Sequence, residues 1–370
     1  MIFDNNIFVL LALIVAFLVA FSATPMVISL AHKVNAIDVP KDPRRIHKKP
    51  TPLMGGLAIF YGFIVSVICF GTIDREVMGI LIGCVIVVTT GIIDDIKEMK
   101  PIVKLLCQIL AAAVVVYCDV RIEHFANPLS QWIGGPYIVL DYWASCAVTI
   151  FWIVGICNAV NLIDGLDGLA VGVSSIASIA MLVLTILSQN LNVAIISAAV
   201  AGAGFGFLPY NYNPAKIFMG DTGALFLGFI LSCISIQGML KMSAVITFAV
   251  PVLILGLPIF DTAFAIIRRV LTGHSPMQAD RGHLHHRLLD MGFSQRRVVT
   301  ILYTLTAVLC MTAVVISIKG YVRGLILICS VLVIILVSLK IMGELKDPSE
   351  YISYNADEQL TEEEDYDEKD

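Results

Sequence analysis

Apolar residues in this chain gather in long, nearly unbroken runs. They show neither the alternation of a half-buried strand nor the single stripe of a soluble helix. Divided at the charged and Gly/Pro-rich breaks, the runs predict about eleven helices, near 7–31, 53–71, 77–93, 101–119, 142–160, 168–187, 191–208, 223–240, 243–267, 298–318 and 322–342. Each is long enough, or nearly so, to cross the hydrocarbon layer of a bilayer. The shallowest break is Ser188-Gln189-Asn190. The first run, Ile7 to Ala31, lacks a basic segment before it and is too long for a cleavable signal, so it reads as a membrane helix. Between Val120 and Tyr142 the Asn127-Pro128 and Gly134-Gly135-Pro136 stretches predict turns on the membrane surface.

Composition agrees. The 370 residues are 58% hydrophobic and 14% charged, with mean hydropathy +0.89, against roughly 45–50% and about 25% in soluble domains. A soluble enzyme is excluded, and so is an outer-membrane barrel, whose strands would alternate. The predicted class is an all-α polytopic integral membrane protein of about eleven spans. Nine cysteines, mostly inside apolar runs and without a CxxC pair, read as small core residues.

Charge divides and orients the chain. From Glu344 onward there are 12 acidic and 2 basic residues, so the net charge of −5 splits into about +5 for a membrane domain over 1–343 and −10 for a solvated, disordered tail over 344–370. With the amino terminus outside, fifteen Lys and Arg residues flank the spans on the cytoplasmic side and five on the other. The positive-inside rule therefore predicts an external amino terminus and a cytoplasmic tail.

The acids then stand out by depth. Asp94-Asp95 ends one predicted helix, Asp164 and Asp167 lie between two, and Asp221 opens another, all at the cytoplasmic edge. Carboxylates there must pair, bind a cation or face water. At the carboxyl end of a helix Asp94 and Asp95 oppose both the macrodipole and each other. Lys97 and Lys100 could soften that repulsion, as could a divalent cation. In Asn158-Ala-Val-Asn161-Leu-Ile-Asp164-Gly165-Leu-Asp167-Gly168, two carboxylates and two amides surround a helix break; one acid could be an N-cap, but capping needs only one. Asp221, in Asn213-Pro214-Ala-Lys216-Ile-Phe218-Met-Gly220-Asp221-Thr222-Gly223, could cap its helix or hold Mg²⁺ with phosphate. Asp280-Arg281-Gly282-His283-Leu284-His285-His286-Arg287 sets three histidines between arginines. Without a cysteine or an HExxH spacing, that pattern favours an anion such as a diphosphate over zinc. His47, in a basic loop, adds charge of the same sign. Asp261, inside the 243–267 run, is expected to pair with Arg268.

Taken together, Asp94-Asp95, NAVNLIDGLDGLA from Asn158, NPAKIFMGDTG from Asn213 and DRGHLHHRL from Asp280 resemble the polyprenyl-phosphate N-acetylhexosamine-1-phosphate transferases, over about Thr24 to Arg297. The histidine loop looks like the N-acetylglucosamine branch, not the phospho-MurNAc-pentapeptide branch. The resemblance implies transfer of GlcNAc-1-phosphate from UDP-GlcNAc to undecaprenyl phosphate, releasing UMP, in the bacterial cytoplasmic membrane, as the first step of a teichoic acid, O-antigen or related glycan. It implies Mg²⁺, or Mn²⁺ in its place, on Asp221 and Asn161. Asp94 and Asp95 would position or deprotonate the lipid phosphate or support the metal, Asp164 and Asp167 would organise the sugar-nucleotide site, and Lys104 would meet the diphosphate; a snorkelling lysine is the plain alternative for Lys104. His47, Asn158, Asn213, Phe218, Arg281, His283, His285 and His286 would contact substrate. Direct attack by the lipid phosphate is expected over an aspartyl-phosphate intermediate. Membrane lipid is an expected partner, nucleic acid is not, and the resemblance leaves room for a homodimer. The rival from another class is a transporter, which would place its acids near the midplane in inverted repeats; a non-catalytic lipid-binding scaffold would not need the carboxylates.

Overall fold

In the computed structural model, residues 2–40, 50–126, 137–239, 249–271 and 283–319 are described, together with 323 and 329. The helices among them are α1 (Ile2–Lys33), α2 (Gly56–Phe70), α3 (Arg75–Ile96), α4 (Pro101–Tyr117), α5 (Tyr142–Ile163), α6 (Leu169–Leu187), α7 (Leu191–Asn211), α8 (Gly220–Met239), α9 (Ala249–Ile254), α10 (Gly256–Leu271), α11 (Leu284–Asp290) and α12 (Gln295–Lys319). Seven are long and apolar enough to span a bilayer, and α2 and α4 are shorter apolar helices. The fold is an all-α polytopic membrane bundle.

The first eight predicted runs and the tenth each fall on one helix. The ninth breaks in two, because Pro258 has no N–H to donate and its ring opposes the carbonyl four residues back, at Ile254, where α9 ends. The run 322–342 apart from residues 323 and 329, the tail 344–370 and the 243–248 stretch lie outside the described residues. So do residues 127–136 of the segment between α4 and α5. Its flanks form an antiparallel pair of strands, β3 (His124–Ala126) with β4 (Tyr137–Val139), where turns alone were predicted.

Burial places α8 at the centre: 89% of its apolar window is enclosed by protein, against 28% for α1. Helices α3 and α5 pack on α8, while α1, α2, α6 and α7 form a second group beside it. Apolar side chains on the outer helices remain exposed, as lipid contact requires. A short strap fixes the segment that enters α8. Strand β2 (Thr51–Pro52) pairs with β1 (Ile37–Asp38), Phe218 N–H donates to Pro52 O at 2.8 Å, and Gly55 N–H returns to Phe218 O at 3.0 Å.

Candidate active site

The ends of α3, α5 and α8 meet at one edge of the bundle around a cavity of about 560 Å³. Of the predicted site residues, Asp94, Asp95, Asn161, Asp164, Asp167, Phe218, Asp221 and His286 line it. The acids thus cluster at helix ends and not at mid-helix depth, contrary to the transporter alternative.

The carboxyl end of α3 faces the amino end of α8, and this meeting resolves the macrodipole conflict at Asp94-Asp95. Asp95 Oδ1 accepts from Asp221 N–H at 2.8 Å, and its Oδ2 accepts from Thr222 N–H at 3.2 Å and from Thr222 Oγ1 at 2.6 Å. Asp95 therefore caps α8 from another helix, answering the unpaired N–H groups of its first turn. The close approach needs two glycines. A methyl at Gly91 would run into the Thr222 backbone, and Gly220, at φ +69°, lies against the Asp95 carboxylate. With three of its lone pairs engaged here, Asp95 holds the start of α8 while still lining the cavity.

Asp94 and Asp221 share a cation. Lys104 Nζ lies 2.6 Å from Asp94 Oδ2 and 2.6 Å from Asp221 Oδ2. Asp94 also accepts from Met99 N–H at 2.7 Å. Lys104 is thus no snorkelling lysine, and Lys97 and Lys100 are not what relieves Asp94. Asp221 turns its Oδ2 to Lys104 and stands inside the first turn of α8, so it is not the N-cap of that helix.

Neither acid of the NLIDGLDG segment caps α6: the N-cap is Gly168, at φ +78°, without a side-chain bond. Asp167 Oδ2 instead accepts from Asn213 Nδ2 at 2.9 Å and Ala215 N–H at 3.1 Å, and Asn213 also donates to Gln295 Oε1 at 2.7 Å. Asn211 and Tyr303 brace the same loop through Gly168. Asp164 stands apart. Half-buried, its carboxylate has no hydrogen-bond donor among the described residues, and burial, followed by the charges of Asp221, Asp95 and Asp167, pushes its pKa up to about 8.

Several predicted contacts lie elsewhere. Asn158 Nδ2 is spent on Gln108 Oε1 at 2.7 Å and Val154 O at 2.8 Å, clasping α5 to α4 away from the cavity wall. Asn213 sits behind Asp167. His283 and His285 are buried behind His286. Burial, then the charge of His286, lowers the His285 pKa to about 4. Burial thus favours its neutral form. Asp261 does not pair with Arg268; it meets His283, at 2.8 Å. His47 and Arg281 lie outside the described residues. Gln295 and Asn211 line the cavity without having been singled out, since isolated amides in helices carry no motif.

The donor set suits a hard cation. Seven carboxylates line the cavity, among them Asp38 and Glu98, and Lys104 is bound to two of them, Asp94 and Asp221. Asp164 has no partner among the described residues, and Asn161 adds an amide oxygen. Among the described residues no three His, Cys, Asp or Glu side chains converge into a ready cage. That fits Mg²⁺, which usually takes one or two carboxylates and fills its shell with water and substrate phosphate.

Comparison with known proteins places this geometry. A family described as glycosyl transferase family 4 matches residues 77–239, the stretch from α3 to α8. The chain is 36% identical to a probable undecaprenyl-phosphate N-acetylglucosaminyl 1-phosphate transferase of Bacillus subtilis (strain 168), covering 85% of this chain and 86% of that protein. It is 34% identical to a decaprenyl-phosphate N-acetylglucosaminephosphotransferase of Mycobacterium leprae (strain TN), over 78% of each. It is 33% identical to a phospho-N-acetylmuramoyl-pentapeptide-transferase of Caldicellulosiruptor bescii, over 82% of this chain and 96% of that protein.

Proposed function

The chain belongs to the polyprenyl-phosphate N-acetylhexosamine-1-phosphate transferase family, and on that premise we propose that it transfers GlcNAc-1-phosphate from UDP-GlcNAc to undecaprenyl phosphate. An oxygen of the lipid phosphate attacks the sugar-bearing phosphorus. The bond from that phosphorus to the bridging oxygen breaks, and that oxygen leaves with UMP. The product, a lipid diphosphate carrying GlcNAc, begins a cell-surface glycan of the teichoic acid or O-antigen kind. The cavity faces the cytoplasm of a bacterial inner membrane, with the amino terminus outside, in line with the fifteen-to-five distribution of Lys and Arg.

The observation that carries this reading is the Asp94–Lys104–Asp221 bridge in a carboxylate-lined cavity at the bundle edge. A lipid phosphate and a water-soluble diphosphate can meet only near such an interface. Phosphoryl transfer asks the protein mainly to position and neutralise charge. Lys104, already held on two sides, presents a fixed ammonium for the diphosphate, and Asp94 holds Lys104 in register. Asp221 and Asn161, with Asp164 as a further oxygen donor, would hold Mg²⁺, or Mn²⁺ in its place, which when bound supplies charge neutralisation at the transferring phosphate. The attacking phosphate is itself an anionic nucleophile, so no covalent enzyme intermediate is needed.

Likeness to the pentapeptide transferase keeps a second substrate in play; the DRGHLHHRL loop supports the GlcNAc choice. Purified chain in detergent, given undecaprenyl phosphate, Mg²⁺ and a mixture of UDP-GlcNAc, UDP-GalNAc and UDP-MurNAc-pentapeptide, tests it. Lipid-linked GlcNAc is the expected product. Lipid-linked MurNAc-pentapeptide would overturn the substrate, and no lipid product from any of the three would overturn the reaction.

A further inference from the structure

The contacts of Asp261 reach the cavity although Asp261 itself does not. It lies on α10, and its Oδ1 accepts from Leu284 N–H at 2.7 Å while its Oδ2 meets His283 Nδ1 at 2.8 Å. Both side chains are almost wholly buried. An ionised carboxylate only accepts, so His283 Nδ1 carries the proton and the imidazole is fixed in orientation. His283 occupies the N-cap position of α11 without capping it; Asp261 does so from the neighbouring helix. One turn further along α10, Phe264 receives the Arg287 guanidinium over its ring at 5.2 Å. Two points of α10 therefore grip α11.

From that grip a row of imidazoles leads inward. His283 stacks on His285, with ring centroids 5.8 Å apart and planes 12° from parallel, and His285 leans on His286 at 4.3 Å. His286 reaches the cavity wall. His285 is seated against Gly165, in the loop between Asp164 and Asp167: a methyl there would stand 2.5 Å from His285 Nε2. That Nε2 is buried without a hydrogen-bond partner among the described residues, so its place is set by packing and by the row behind it. A carboxylate on the buried face of α10, in line with Leu257, Pro258 and Ala265, is costly unless it is paired, and His283 and the Leu284 amide supply that pairing.

We propose that Asp261 is a positioning residue: through His283 and the Leu284 amide it sets the histidine turn that presents His286 to the nucleotide sugar. This rests on the reading of the cavity as a UDP-sugar site. The test is Asp261→Ala in the full chain, with two readouts. Kinetically, KM for UDP-GlcNAc should rise about tenfold or more while KM for undecaprenyl phosphate holds within about twofold. Chemically, diethylpyrocarbonate followed by peptide mapping should find His283 and His285 protected in the parent and reactive in the variant, with no substrate present. Should the alanine variant fail to fold, Asp261→Asn, which keeps the acceptor for Leu284 N–H, carries the same readouts in milder form. A protected histidine turn in a folded variant, or equal changes in both KM values, would overturn the proposal. Exposed histidines in a chain that uses no UDP-sugar would uphold the positioning role and sink only the substrate reading.

Discussion

Asp164 is the residue where the cavity's chemistry is most open to measurement. Its folded-state pKa of about 8 exceeds the ordinary 3.8, so between those values the folded chain binds more protons than the unfolded one, and stability falls as pH rises. Asp164→Asn should therefore raise the thermal midpoint in cation-free detergent, by a margin that widens from pH 4 to pH 8 and then levels off. A margin independent of pH would contradict the assignment. At Asp221 the expectation concerns turnover: Asp221→Asn should cost at least about a hundredfold in rate and flatten the dependence on Mg²⁺ while the bundle stays folded. Steady-state rates across a Mg²⁺ titration check it. The positions of these acids were legible in the sequence because carboxylates beside apolar runs are rare and costly. Their partners were not: 127 positions separate Asp95 from Thr222 and 117 separate Lys104 from Asp221, and no local pattern joins residues so far apart.

Between elements, the joint of α3 and α8 governs the site. Asp95→Ala leaves the first turn of α8 uncapped and should cost about 1–2 kcal/mol, with a fall in activity because Asp221 rides on that turn. Gly91→Ala should cost a further 1–3 kcal/mol, roughly, by forcing the two backbones apart. Denaturation of each variant beside its turnover separates the two effects; full activity in Asp95→Ala would show that the cap does not position Asp221. Helices were readable as runs because lipid and core both demand apolar side chains. The joint between α9 and α10 was passed over because Val-Leu-Ile-Leu-Gly-Leu-Pro is apolar throughout, and only the missing amide of Pro258 breaks it. Asn158 shares a motif with Asn161, which lines the cavity, yet one turn of α5 carries Asn158 to Gln108 instead.

Across the whole molecule, one end gathers Asp94, Asp164, Asp221 and His286, while Arg75, Asp119 and Asp141 mark the start of α3, the end of α4 and the start of α5 at the other. The fifteen-to-five bias predicts that a cysteine at exposed Asp290 reacts with an impermeant maleimide in inverted vesicles but not in intact cells, and one at exposed Asp119 does the reverse; the opposite pattern would invert the chain in the membrane. On the proposed function, the bundle moves a phosphosugar and not a bare sugar. The direct measurement uses UDP-GlcNAc labelled with ³²P on the phosphorus that bears the sugar, incubated with the purified chain, undecaprenyl phosphate and Mg²⁺. The label should pass to the lipid one-for-one with release of unlabelled UMP. Label recovered in UDP, beside a lipid that has gained only the sugar, would contradict it.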